Sequence, residues 1–150
     1  MSVKRVVKDT ALAEITLRKY ERPLNLSRRD LVKKLCLSIG LLQPGDSRDI
    51  MVDIFSVLLD AEGPMTTEKI QEQVIAYRKE HKLELQGVAA SNIRRQLKRL
   101  RNLFLVEKLA NSYRIAENEE LHHLFEHKIK KFYLNDILGR VEEYFKALKE

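Results

Sequence analysis

With 150 residues and 44 % hydrophobic side chains, the chain has the length of one domain and the apolar content to bury a core, which excludes a purely disordered tail. Its longest uncharged run, residues 35–45, is broken by Gly40, Pro44 and Gly45 and is far shorter than the roughly 20 apolar residues of a membrane span, so no membrane partner is expected. A single cysteine, Cys36, cannot close an intrachain disulfide, and Lys4, Arg5, Lys8 and Asp9 interrupt any apolar leader, so the expectation is an intracellular, cytoplasmic protein.

The net charge of +6 is unevenly spread: residues 1–35 carry +6, 36–85 carry −4, 86–106 carry +5 with no acid at all, and 107–150 carry −1. Two cationic blocks on a basic chain suit a partner that is an anionic polymer, against the blander alternative of a solvated face.

In chain order, the first ten residues are expected to be mobile. AEITLRKYER (13–22) places Ile15 and Leu17 in alternation and ends at Pro23, which predicts a strand or an extended arm. Ser27 and Asp30 form an S-x-x-D cap ahead of a helix over 27–42, with Leu31, Leu35, Ile39 and Leu42 on one face. After the QPGDS turn, Asp46 or Ser47 caps a helix over 47–61 whose apolar face is Ile50, Met51, Ile54, Phe55, Leu58 and Leu59, stopped by Gly63 and Pro64. Thr66 or Thr67 opens a third helix, 67–80, through Ile70, Val74 and Tyr77.

A fourth helix, 89–102, buries a stripe of Ile93, Leu97 and Leu100, continued by Phe104, and turns Ser91, Arg95, Lys98 and Asn102 outward, with Arg94 and Arg101 on one flank and Arg99 on the other. LFLVEKL and YRIA, separated by Asn111 and Ser112, read as a hairpin.

Helices 47–61, 67–80 and 89–102 followed by a hairpin at 105–115 resemble, in their order, the winged helix-turn-helix family of DNA-binding transcriptional regulators, prokaryotic type. The likeness covers 47–116, and its core, IRRQLKRLRNLFLVEK, is similar to the recognition helix and first wing strand of such regulators, where a run of the form x-L-x-R-L-x-x-x-x-L-V recurs. Two features depart from the pattern: the link HKLELQGVAAS is long for a compact helix-turn-helix, and the short wing has only Lys108 and Arg114 as cations.

The resemblance implies a mainly α fold, a three-helix core plus β-hairpin wing, with an added N-terminal strand and helix (1–46) and added C-terminal helices (117–150). It implies sequence-specific binding of double-stranded DNA, with helix 89–102 in the major groove. Ser91, Asn92 and Arg95 would then meet base edges, and Arg94, Lys98, Arg99, Arg101, Lys108 and Arg114 would touch phosphates. Arg18, Lys19, Arg22, Arg28, Arg29, Lys33 and Lys34 are candidates to extend the phosphate contact. On pattern alone, the N-terminal strand and two helices also faintly resemble ribbon-helix-helix DNA binders.

The C-terminal stripe changes side: Leu121, Leu124, Phe125, Lys128 and Phe132 share one face, and Ile137, Val141, Tyr144, Phe145 and Leu148 lie about half a turn away. A break near Leu134 with Asn135 capping a separate last helix is expected. That last stripe is expected to form a homodimer interface, the alternative being an intrachain cover for the N-terminal helix.

His122, His123 and His127 among acids are read as solvated rather than as a metal site, and Cys36 as a small buried hydrophobe. No Gly-rich phosphate loop, G-x-S-x-G, H-E-x-x-H or CxxC is present, so neither an enzyme nor a cofactor is expected. The rival to DNA binding is a winged-helix protein-interaction module whose basic helix meets an acidic protein partner. RNA is less favoured, because the basic helix has no outward aromatic for stacking.

Overall fold

The computed structural model describes residues 9–148. Expectations for the first eight residues therefore lie outside the described residues. The elements run α1 (Arg28–Ser38), α2 (Ile50–Asp60), β1 (Met65–Thr66), α3 (Thr67–Glu80), α4 (Ala90–Asn102), β2 (Val106–Leu109), β3 (Ser112–Ile115), then a C-terminal helix that begins as α5 (Leu121–Leu124) and ends as α6 (Asn135–Ala147). The chain is mainly helical, with one small antiparallel sheet ordered β1-β3-β2.

The most apolar helix, α2, sits in the centre. Ile50, Met51, Ile54, Phe55 and Leu58 are buried as expected, and so are Val52 and Asp53, because α2 is covered on nearly every side. Its start is later than expected: Asp46 accepts the backbone N–H of Arg48 at 3.0 Å in a local turn, and the helix begins only at Ile50.

In α1 the cap forms as the sequence implies, Ser27 accepting from the N–H of Asp30 at 3.1 Å. The buried face differs. Val32, Cys36 and Ile39 point inward, while Leu31 is 44 % exposed, and the helix stops at Ser38 because Gly40 turns the chain with φ 78°. The segment 13–22 is an extended arm rather than a strand. Arg18 pins it by donating to the carbonyls of Leu37 (2.8 Å) and Leu42 (3.3 Å) and to Gln43 (2.6 Å), satisfying acceptors at the end of α1. Thr16 packs so closely over Gly40 that a Cβ there would lie 2.7 Å from the threonine Cβ.

Thr66 caps α3, accepting from the N–H of Lys69 at 3.2 Å. Met65 and Thr66 also pair with Tyr113 and Ser112, so the short connection after α2 becomes the third strand of the sheet. The hairpin itself pairs Val106 with Ile115 and Lys108 with Tyr113. Val106, Tyr113 and Ile115 point into the core.

The C-terminal segment departs most from expectation. Backbone angles at Leu134 (φ −66°, ψ −43°) and Asn135 (φ −63°, ψ −35°) are helical, so there is no break, and Asn135 donates to the Lys131 carbonyl instead of capping. The change of side is absorbed by a π-helical stretch, Phe125–Leu134, whose wider turn moves the inward positions to a spacing of about five. Leu124 and Ile129 enter the core, while Phe125 and Phe132 are exposed. Beyond it, no residue of α6 is buried.

Candidate nucleic-acid interface

The outward face of α4 follows from its inward one. Ile93, Leu97 and Leu100 are fully buried against α2 and α3, and at 100° per residue this leaves Ser91, Arg94, Arg95, Lys98, Arg101 and Asn102 exposed together. Among the described residues no acid lies within ion-pair distance of Arg94, Arg95, Lys98 or Arg101. Phe104 does not continue the buried stripe: it lies past the helix end at φ 63°, its ring edge-on to Phe132 and Tyr133 at centroid distances of 6.0 and 5.3 Å. Between α4 and β2 runs a groove of about 420 Å³ lined by Lys98, Arg101, Asn102, Val106, Glu107 and Lys108, so the helix and hairpin bring three cations to one cleft.

Three of the residues expected at this interface are committed elsewhere. Asn92 is half-buried, donating to the Gly87 carbonyl at 2.8 Å and accepting from Gln96 at 3.1 Å, so its amide closes the α3–α4 loop onto the helix. Gly87 has φ 83° and a Cβ there would meet Asn92 Nδ2 at 3.0 Å, which ties the glycine to the same contact. Arg99 donates to Gln96 (2.8 Å) and to the Gly40 carbonyl (3.2 Å), facing the core side of the helix. Burial pushes the Cys36 thiol up to about 12, with Arg99 opposing the shift only in part; Cys36 is a buried small side chain. Arg114 donates to Glu107 at 2.5 Å, and the same carboxylate oxygen accepts the N–H of Glu117 at 2.8 Å. These two bonds, the first being stronger, hold the Glu107 carboxyl below the usual carboxylate range. Lys108 remains exposed, its ammonium 5.8 Å from the Tyr113 ring centre.

The N-terminal cations are likewise mostly occupied. Arg28 pairs with Asp60 at 2.7 Å, Lys34 with Glu21 at 2.6 Å, and Arg18 serves the end of α1. Arg29 contacts both Asp53 and Asp49, the latter at 2.8 Å. Lys19, Arg22 and Lys33 have no ion-pair or hydrogen-bond partner among the described residues.

Arg29 belongs to a buried network that the sequence reading missed. Arg78, buried in the last turn of α3, donates to Asp53 at 2.5 Å, to Asp49 at 3.2 Å and to the Glu84 carbonyl at 2.5 Å. Two acids of α2 thus bind α1, α3 and the loop leading to α4. Burial raises the Asp49 carboxyl, but Arg29 and then Arg78 outweigh it and hold it below its ordinary value. The signal was present: Asp53 is an acid inside the apolar run IMVDIFSVLL, and a charge in such a run needs a partner.

His122, His123 and His127 are exposed on the C-terminal helix, with His123 Nδ1 3.2 Å from Glu119. Among the described residues no three His, Cys, Asp or Glu side chains converge as a metal-holding group, and no helix is long and apolar enough to cross a membrane. No family model, curated protein or solved structure matches the chain.

Proposed function

We propose that the protein is a winged helix-turn-helix DNA-binding protein, acting as a transcriptional regulator, with α4 entering the major groove of double-stranded DNA. The observation that carries the reading is the exposed face of α4: four cations with no acidic partner among the described residues, backed by a fully buried apolar stripe. The order of α2, α3 and α4 over a sheet in which β1 joins the β2–β3 hairpin supports the finer fold assignment. In this reading Arg95 and Ser91 reach base edges, Arg95 toward guanine. Arg94, Lys98, Arg101 and Lys108 bind phosphates, and the cleft between α4 and β2 follows one strand. Asn92, Arg99 and Arg114 shape the surface without touching DNA. The bare stripe of α6 serves a homodimer, whose two α4 helices would address half-sites about one DNA turn apart.

Fluorescence anisotropy with a random duplex, a selected duplex and an acidic non-nucleic polymer, over a range of salt, tests the proposal. Four phosphate contacts per protomer predict a loss of roughly 3 to 4 log units of affinity per tenfold rise in salt. Lys98→Ala should weaken all duplexes alike and reduce that slope by about 1, whereas Arg95→Ala should lose preference at one base pair. Equal binding to duplex and polymer, insensitive to both substitutions, would instead favour a protein-interaction module.

A further inference from the structure

The large exposed apolar side chains gather mainly on two surfaces. One is convex: Leu138, Val141, Tyr144, Phe145 and Leu148 on α6, the last three 70, 74 and 84 % exposed. The other is concave: a groove of about 450 Å³ between the N-terminal arm and α1, walled by Tyr20, Pro23, Leu31, Leu35, Leu59 and Leu121. Stripes and grooves of this kind, left in water, forfeit roughly 25 cal/mol per Å² of apolar surface that could be buried.

We propose that the groove beside α1 receives the α6 stripe of a second copy, in a reciprocal exchange that closes a two-fold dimer. The proposal rests on the homodimer named above and specifies its contact. A chain's own stripe cannot fill its own groove. Leu121 lines the groove at the start of the C-terminal helix, and that helix runs unbroken, so the stripe lies roughly 25 to 40 Å away along a rigid rod at 1.5 Å per residue. Charge agrees with the match. Around the groove α1 carries Arg28, Lys33 and Lys34 against the single acid Asp30, and the stripe is bordered by Glu142 and Glu143. Reciprocity matters, because a one-way insertion would leave a free stripe at one end and a free groove at the other and propagate a filament.

Sedimentation of the full chain without DNA tests this, using Leu31→Asp in the groove and Phe145→Asp in the stripe. Both positions are exposed, so neither change burdens the fold of the monomer, and far-UV circular dichroism verifies it. Each variant alone is expected to raise the dimer dissociation constant about 100-fold or more. An equimolar mixture, which restores one intact stripe facing one intact groove, recovers part of the dimer. As a second readout, the double variant Leu31→Cys with Tyr144→Cys should form interchain disulfides between the two introduced positions, Cys36 being buried. A dimeric Leu31→Asp beside a monomeric Phe145→Asp, or a Tyr144→Cys chain that cross-links to itself, would mean that stripe meets stripe and would overturn the proposal. So would a wild-type chain that stays monomeric at every concentration reached. Failure of DNA binding would be seen in the anisotropy titration and leaves these outcomes unaltered.

Discussion

Two cationic blocks of nearly equal charge, the N-terminal third and α4, are used in opposite ways. In the N-terminal block Arg18 caps the end of α1, Arg28 and Lys34 hold acids, and Arg29 enters a buried network with Asp49, Asp53 and Arg78. In α4, Arg94, Arg95, Lys98 and Arg101 meet no acid among the described residues. The difference lies in the neighbours. The acids of the −4 segment, on α2 and its approaches, lie against α1, whereas the segment around α4 contains none. Equal net charge in the sequence therefore becomes internal adhesion in one place and a free electrostatic surface in the other. Only the second can release counterions from a polyanion.

The largest expected effect tests the adhesive side. Asp53→Ala leaves Arg29 and Arg78 short of their shared buried partner and should cost about 3–5 kcal/mol of stability, read as a fall of roughly 10 °C in Tm. Duplex affinity of the folded protein should stay unchanged. On the free side, Arg95→Ala should lose about 1–3 kcal/mol of binding to the preferred duplex with Tm unmoved, within about 0.5 kcal/mol of stability. If Arg95→Ala unfolds the chain, or Asp53→Ala weakens DNA without affecting Tm, the contrast between the blocks fails.

Asn92→Ala sharpens the division within α4 itself. Loss of the bond to Gly87 should lower stability by about 1 kcal/mol and leave base preference intact, as thermal melting and site selection would report. Acid titration addresses the network. The Asp49 carboxyl is depressed in the folded state, so its contribution is present above the unfolded value near pH 3.9 and is lost as pH falls through the lower folded value. Unfolding followed by circular dichroism should steepen below about pH 4, and Asp49→Asn should flatten that limb. The smallest change is Arg28→Ala. Its pair with Asp60 is open to water on both sides, and melting should shift by the equivalent of less than about 1 kcal/mol.

Much of the helical order could be read in advance because caps and stripes are local. Ser27 and Thr66 cap where their hydroxyls can accept an N–H three residues on, and Ile93, Leu97 and Leu100 fall on one face by the helical period alone. The outward cations of α4 follow from the same period. Their freedom does not, since pairing depends on which acids fold against them. The misassignments of Asn92, Arg99 and Arg114 share one cause: each is a polar side chain whose partner, Gly87, Gly40 or Glu107, is identified only by the folded chain. The C-terminal helix shows a different limit. A period of 3.6 applied to a π-helical stretch yields the wrong face, which is why Phe125 and Phe132 were placed inward and Ile129 was missed.

The sequence by itself determined the number and order of the main helices, the hairpin, the buried stripe of α4 and the cationic face opposite it, because these are written in caps, periods and charge runs within a few residues. Tertiary structure alone decided that Met65 and Thr66 become a strand, that Asp53 can be buried, and that the C-terminal helix carries its bare stripe away from the core. Each of these depends on a partner distant in the chain, Tyr113 and Ser112 for the strand and Arg29 and Arg78 for the acid, or, for the helix, on a change of pitch that shifts the face gradually, and no local pattern encodes such a meeting.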